Sequence, residues 1–202
     1  MKTFVLPNAY PDMPSSLMHI YLIEAGPRLL AGMSEESSAH AEQFLREMGV
    51  NILLNKRVVD YRDHKVVLED GTEIATRTFI WVSGVTGVTI GNLDASLIGR
   101  GGRIKVDSFN RVEGMNNVFA IGDQCIQLAD ENYPNGHPQL AQVAIQQGEL
   151  LAKNLIRMEK GQEMKPFHYR NLGSMATVGR NRAVAEFSKV KMQGWFAWVM
   201  WL

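Results

Sequence analysis

The 202-residue sequence has a single cysteine, Cys125, and equal numbers of basic and acidic side chains, 21 of each. One thiol excludes an intramolecular disulfide, a CxxC redox pair and a cysteine zinc cluster from this chain. The formal net charge of zero gives no bulk attraction to nucleic acid or to an anionic membrane, so we expect no nucleic-acid partner. The sequence also lacks any apolar run approaching the roughly 18 residues of a membrane-spanning helix.

Common catalytic signatures are missing as well. The sequence contains no GxSxG, no Gly-Lys pair of a P-loop and no HExxH, and its histidines lack metal-ligand spacing. The glycine-rich stretches 84–87 and 99–102 do not match the GxGxxG turn that binds a dinucleotide pyrophosphate, which argues against a free-standing dinucleotide-binding domain. A nucleophilic pair of Cys125 with a histidine stays open, although an isolated cysteine is more often structural.

The residues that are present alternate between strand and helix patterns, as in an α/β protein. Residues 1–17 contain three prolines and are typical of an irregular surface loop. Ser34 is suited to cap the first helix, and Asp70-Gly71 to form a hairpin turn within a three-stranded antiparallel meander. The pattern predicts strands at 19–23, 50–54, 57–61, 65–68, 77–82, 103–106 and 117–121, helices at 34–48 and at 138–158 with Pro138 in its first turn, and extended segments at 167–179 and 182–187.

Three local signals suggest chemistry, and each has a plainer alternative. Glu24 ends a predicted strand, where a carboxylate can accept both ribose hydroxyls of an adenine dinucleotide or simply face water. Gly122-Asp123 follows an apolar strand pattern, at the sheet edge where α/β proteins bind ligands, or forms an ordinary turn. Gln142 and Gln146 share one helix face, where their amides can bind a carbonyl ligand or face solvent.

The end of the sequence, WFAWVMWL, is unusually aromatic. Trp195, Trp198 and Trp201 recur every three residues, so we expect a helix to stack them along one side. A core helix is one interpretation. An interfacial membrane segment is the other, because tryptophan favours the headgroup level and the basic residues upstream can meet anionic lipid. These basic residues are Arg180, Arg182, Lys189 and Lys191.

Taken together, these segments resemble the type II NADH dehydrogenases, single-chain NADH:quinone oxidoreductases of the two-dinucleotide-binding-domain flavoprotein class. The matching stretches follow the family's order over nearly the whole chain. AIGD is shared by many flavoproteins, whereas AQVAIQQG, GSMATVGRNRAV and WFAWVMWL are much more specific. The resemblance implies an α/β fold of partial Rossmann-like FAD- and NAD(P)-binding domains with a three-stranded antiparallel meander.

The resemblance also implies roles for individual residues. For NADH, Glu24 would bind the adenosine ribose, and Ser83, Gly84 and Val85 would lie near the nicotinamide. For FAD, Gly122 and Asp123 would lie at the ribityl chain, with Val143 and Ala144 on the helix beside the isoalloxazine ring. Gln142 and Gln146 would line the quinone pocket, and the aromatic end with Trp195, Trp198 and Trp201 would begin the membrane-anchoring region.

The family's two phosphate-binding fingerprints have no counterpart in this sequence. We therefore expect the chain to be the C-terminal half of such an enzyme, with residues 1–90 from the NADH-binding domain, 91–170 from the FAD-binding domain and 171–202 from the membrane-associating region. The whole enzyme would lie peripherally on the cytoplasmic face of the inner or plasma membrane. This half alone would be inactive and free of flavin, because half of each cofactor site is absent.

Two rival interpretations stay open. The chain could be a non-enzymatic module that self-associates through bare sheet edges and apolar faces. It could also come from another pyridine-nucleotide flavoprotein, such as a disulfide reductase. The glutamine pair and the tryptophan-rich end argue against the reductase.

Overall fold

A computed structural model describes residues 5–12, 14–88, 90–187 and 190–201. The helices are α1 (Val5–Ala9), α2 (Glu35–Glu47), α3 (Ala141–Glu159) and α4 (Gly194–Trp201). The strands are β1 (Ile20–Ile23), β2 (Val50–Leu53), β3 (Val58–Arg62), β4 (Lys65–Leu68), β5 (Glu73–Ala75), β6 (Ile104–Val106), β7 (Cys125–Gln127), β8 (Ser174–Gly179), β9 (Arg182–Phe187) and β10 (Val190–Gln193). Among the described residues, no helix is both long enough and apolar enough to cross a membrane.

The chain divides into two compact units. The first unit combines the residues up to Ile80 with those from Leu172 onward, and the second runs from Trp81 to Asn171. The first contains a parallel pair, β1 with β2, and two antiparallel three-stranded sheets, β3-β4-β5 and β8-β9-β10. The second contains the parallel pair β6 with β7, and the long helix α3. The predicted α/β fold class with a three-stranded antiparallel meander is therefore confirmed.

The parallel pair of the first unit aligns Ile20 with Val50 and Ile23 with Leu53. Helix α2 connects the two strands, as a parallel crossover requires. Ser34 is the N-cap of α2, and its hydroxyl accepts a hydrogen bond from the Ser37 amide at 3.3 Å. The predicted cap is confirmed.

A carboxylate from β9 reinforces this cap. Glu186 Oε1 accepts hydrogen bonds from the Ser34 amide at 2.9 Å and from the Ser34 hydroxyl at 2.5 Å. A negative charge at this end of α2 also complements the helix dipole. Partial burial raises the pKa of Glu186, but hydrogen bonds from Ser34 and Ser37 outweigh that effect and leave the pKa below its usual value.

Glu186→Gln is therefore expected to lower the free energy of unfolding at pH 7 by about 1–2 kcal/mol, because a charge-assisted hydrogen bond is replaced by a neutral one. A carboxyl with a lowered pKa stabilises the fold above its unfolded pKa, and that contribution is lost as the pH falls through the folded pKa. Urea unfolding of the wild type and the variant should thus differ at pH 7, and the difference should shrink at about pH 3, below the usual pKa of a glutamate. An equal difference at both pH values would refute the charge-based account.

Four details of the sequence prediction are wrong. Residues 77–82 form no strand, and β5 at 73–75 completes the meander instead. Residues 117–121 make only an isolated bridge between Arg111 and Phe119 before the turn at 122–124. Helix α3 begins at Ala141 with Leu140 as its N-cap, after Pro138. The predicted N-terminal loop contains α1 and a 3-10 turn at Ser15–Leu17.

The first error has a physical cause. The stretch 77–82 has the apolar character of a strand, but a strand also needs a neighbour for its backbone hydrogen bonds. Side chains in this stretch are strongly exposed, with Ile80 at 74% and Val82 at 87%. The pattern of a single sequence does not show whether another strand lies beside a segment, and among the described residues no strand pairs with 77–82.

Candidate functional site

In the first unit, Glu24 follows the carboxyl end of β1. Its amide donates to the Leu53 carbonyl at 2.9 Å, and its carbonyl accepts from the Lys56 amide at 3.1 Å. The side chain is half-buried, and its Oε1 accepts a hydrogen bond from the Gly26 amide at 2.7 Å. One carboxylate oxygen is thus fixed by the turn, which orients the other oxygen for a hydroxyl donor.

In the second unit, the turn at Gly122 is pressed against helix α3. Gly122 has a φ of +64°, a left-handed conformation that favours glycine. A Cβ added there would lie 3.1 Å from the Cβ of Ala144. Asp123, the next residue, is exposed at the surface of this turn. The structure therefore brings together Gly122, Asp123 and Ala144, and the buried Val143 supports Ala144 from the same turn of α3.

Gln147 holds the turn in place, and sequence reasoning missed it. Its side chain is only 1% exposed, and its Oε1 accepts a hydrogen bond from the Gly122 amide at 2.7 Å. The available signal was spacing, because residue 147 lies one helical turn beyond Val143 on the buried face. A buried amide on such a face requires a polar partner.

The start of α3 lies beside this turn. Leu140 occupies the N-cap position and supplies no side-chain cap. The first turn of the helix therefore keeps the partial positive charge that favours an anion or an electron-rich group. Gln142 lies in this first turn and is half-buried.

Gln146, the second predicted quinone residue, is held by the backbone of a neighbouring segment. Gln146 lies one turn beyond Gln142, and both ends of its amide are bonded to the backbone of Arg170. Its Nε2 donates to the Arg170 carbonyl at 2.9 Å, and its Oε1 accepts from the Arg170 amide at 3.0 Å.

The predicted nicotinamide turn is exposed at Ser83, Gly84 and Val85. The indole Nε1 of Trp81 donates to the Ser83 carbonyl at 2.7 Å. A few residues later, the Gln124 side chain bonds both backbone groups of Val88. Its Oε1 accepts from the Val88 amide, and its Nε2 donates to the Val88 carbonyl. These two bonds, of 2.9 and 2.6 Å, tie the segment after the exposed turn to the loop after Asp123.

Comparison with known proteins identifies the family. Residues 13–148 match the family model described as pyridine nucleotide-disulphide oxidoreductase. The chain belongs to this family. The matched range contains every residue predicted to bind a nucleotide or quinone, and it leaves α4 outside.

Relatives of this family member are similar over most of its length. The chain is 34% identical to the type II NADH:quinone oxidoreductase NdhA of Mycobacterium tuberculosis over 98% of the chain and 43% of the relative. It is 33% identical to the mitochondrial internal alternative NAD(P)H-ubiquinone oxidoreductase A1 of Arabidopsis thaliana, over 91% of the chain and 39% of the relative. The predicted resemblance to type II enzymes is confirmed, and the chain spans less than half the length of these curated relatives.

Solved structures share the fold. NDH2 from Plasmodium falciparum, in complex with NADH, superimposes with a TM-score of 0.85 at 18% identity, covering 99% of the chain and 56% of that protein. The sulfide:quinone oxidoreductase of Aquifex aeolicus superimposes with a TM-score of 0.72 at 14% identity, covering 96% of the chain and 49% of that protein. At these identities the likeness establishes the fold alone.

In this member of the oxidoreductase family, the lone thiol is structural. Cys125 is 1% exposed, and its sulfur lies 3.5 Å from the Gly122 carbonyl oxygen and 3.7 Å from Gln147 Oε1. Burial raises the pKa of the Cys125 thiol above its usual value, despite the opposing effect of Arg103. A protonated, inaccessible thiol is a poor nucleophile.

A buried polar cluster precedes α3, and no sequence pattern predicted it. The guanidinium of Arg103 donates to the carbonyls of Cys125 at 2.6 Å and of His137 at 3.1 Å. His137 Nε2 lies 2.9 Å from Asp130 Oδ2, and this bond helps to hold the pKa of Asp130 below its usual value. The cluster braces the polar loop that leads into α3.

Helix α4 has two different sides. Trp195 and Trp201 are more than half exposed, and Phe196 is 72% exposed. Trp198 instead packs against the alanine cluster of Ala183, Ala185 and Ala197. Steps of three residues drift by about 60° on an α-helix, so the three tryptophans span an arc of about 120°. Their shared role at a membrane stays a prediction.

Proposed function

We propose that this chain is the carboxy-terminal half of a flavin-dependent NADH:quinone oxidoreductase. The observation that carries the proposal is the turn of Gly122 and Asp123, held by Gln147 against the uncapped start of α3. A glycine is needed where the turn meets Ala144, and the exposed carboxylate beside it is free to meet a ligand. The type II relatives point to the same chemistry.

These residues fit part of an FAD site. The Asp123 carboxylate would accept a hydrogen bond from a ribityl hydroxyl, and Val143 and Ala144 would support the helix face beside the ring. The positive end of α3 would favour the electron-rich reduced ring. Bound FAD would supply the redox chemistry, taking a hydride from NADH and passing two electrons to a quinone.

Glu24 of the first unit would bind the adenosine part of NADH. The carboxylate of Glu24, fixed by the Gly26 amide, would accept the hydroxyls of the adenosine ribose. Its negative charge would repel a 2′-phosphate, which favours NADH over NADPH. Ser83, Gly84 and Val85 would offer an exposed backbone turn to the nicotinamide.

The quinone would approach the start of α3, where Gln142 and Gln146 would line its pocket. Helix α4 would rest on the cytoplasmic face of the membrane through Trp195, Trp201 and Phe196, whose exposed rings suit the headgroup level. Trp198 would support that helix from its inner side. The enzyme would thus be a peripheral membrane protein.

A second candidate function is self-association without catalysis. It is favoured by the exposed apolar stretch Ile80, Trp81 and Val82, with exposed fractions of 74%, 59% and 87%. Exposed apolar side chains in sequence are typical of a surface that another polypeptide covers. The same stretch would be covered within the whole enzyme under the first proposal.

Flavin content tests the first proposal. The test uses the complete polypeptide, meaning a protein of the same length as the type II relatives that contains this chain as its carboxy-terminal part. Asp123→Ala is expected to weaken FAD binding about 10- to 100-fold, the loss of one charged hydrogen bond. The matched control is Glu131→Ala, an exposed carboxylate of the same loop, which should leave the dissociation constant unchanged.

Equal flavin affinity of Asp123→Ala and the wild type would contradict the assigned site. The 202-residue chain purified by itself is expected to be colourless, and flavin absorbance would contradict the view that half of each cofactor site is missing. Light scattering on that sample distinguishes the second candidate, since a monomer would argue against self-association.

A further inference from the structure

Helix α3 holds a neighbouring segment by two side-chain amides. We call residues 165–170 the strap. Gln146 bonds both backbone groups of Arg170, at 2.9 and 3.0 Å. Asn154 bonds both backbone groups of Lys165 in the same way, with two bonds of 2.8 Å. Each amide thus replaces the partner that a neighbouring strand would offer.

The two clamps hold opposite ends of the strap. Gln146 and Asn154 are eight residues apart on α3, a spacing that keeps them on one side of the helix over about 12 Å. Between them, helix and strap border a groove of about 270 Å³ that includes Glu149, Leu150 and Lys153. The strap therefore stands away from the helix along its middle and depends on its ends for position.

The strap also closes the buried cluster before α3. Phe167 is 3% exposed, its amide donates to the Ser108 carbonyl at 2.7 Å, and its ring lies 5.3 Å from the His137 ring. The Tyr169 ring lies 5.8 Å from His137 and 5.3 Å from Tyr133. Tyr169 immediately precedes Arg170, so the clamp at Gln146 fixes the aromatic wall at this end of the helix.

We infer that Gln146 is a positioning residue, which shapes the quinone site by fixing the strap. This inference rests on the proposed function. It follows because both hydrogen-bonding ends of Gln146 are engaged by Arg170.

Amide exchange tests the clamps without any enzyme assay. In the complete polypeptide, Gln146→Met keeps the side-chain length and removes both bonds to Arg170. The amide of Arg170 is expected to exchange at least about 10-fold faster, as one hydrogen bond of about 1.4 kcal/mol is lost. Asn154→Leu should speed the exchange of the Lys165 amide by a similar factor and leave the exchange of the Arg170 amide unchanged. Unchanged exchange of Arg170 in Gln146→Met would overturn the inference.

Quinone kinetics tests the consequence, with a soluble short-chain ubiquinone analogue as the probe. Gln146→Met is expected to raise KM about 10-fold with little change in kcat, because the strap moves. Asn154→Leu, at the far end of the strap, should raise KM in the same direction by about 3-fold. These magnitudes correspond to the loss of one or two neutral hydrogen bonds.

A direct contact between Gln146 and quinone makes a different prediction. In that case Asn154→Leu leaves KM unchanged while Gln146→Met raises it, and this outcome overturns the positioning role alone. A wild-type polypeptide that binds flavin and oxidises NADH but reduces no quinone would overturn the proposed function together with the inference. Circular dichroism of each variant separates these outcomes from unfolding.

Discussion

Replacement of Arg103 by methionine is expected to lower the free energy of unfolding by about 2–6 kcal/mol, because two buried carbonyls lose their donor at about 1–3 kcal/mol each. The guanidinium serves the carbonyls of Cys125 and His137, residues that are each 1% exposed. Methionine fills similar space but donates no hydrogen bond. Urea unfolding followed by tryptophan fluorescence measures the loss.

Arg100→Met is the matched control for this change. Arg100 lies three residues earlier and is exposed, so its loss is expected to cost less than about 0.5 kcal/mol. Arg103→Lys should fall between the two, since an ammonium keeps the charge but cannot reproduce the fork of donors. If both methionine variants are equally stable, the bracing role of Arg103 is wrong.

Gly173→Ala is expected to be the most damaging small substitution in the first unit. Gly173 has a φ of +103°, and an added Cβ would lie 2.4 Å from the Glu186 carbonyl oxygen and 2.7 Å from a ring carbon of Phe187. Backbone strain of about 1–2 kcal/mol adds to the cost of forcing β9 away. We therefore expect a loss of more than about 3 kcal/mol in the free energy of unfolding.

Gly71→Ala is the control that distinguishes the steric contact with β9 from the strain of a positive φ. Gly71 also has a positive φ, +83°, but an added Cβ would meet nothing within 4 Å. Its substitution is expected to cost only the strain, about 1–2 kcal/mol. Equal losses for the two alanine variants, measured by the same urea titration, would show that the close approach to β9 is unimportant.

Local patterns predicted the elements whose signals are contained in a few neighbouring residues. Strand β4 has the predicted bounds, 65–68, and Ser34 caps α2 as expected. The third strand of the meander was misplaced, because the short β5 directly follows the hairpin while the more apolar stretch 77–82 has no described strand partner.

The candidate site was predictable only where a single position carries the signal. Glu24 and Asp123 were singled out because each follows an apolar run at a predicted sheet edge, and their binding roles stay predictions. Arg103 and Gln147 were missed because their partners lie 22 to 34 residues away in sequence. Such long-range pairings depend on the tertiary fold, and hydrophobic periodicity does not encode them.

The β1–β2 pair has a consequence for how this chain meets another polypeptide. Among the described residues each of these two strands has one strand neighbour, so each offers its opposite side as an edge. Backbone hydrogen bonds at such an edge accept any sequence in extended form, and only the flanking side chains select among candidates. A strand that adds at either edge would therefore pair through its backbone, and the side chains that flank the edge would set its register.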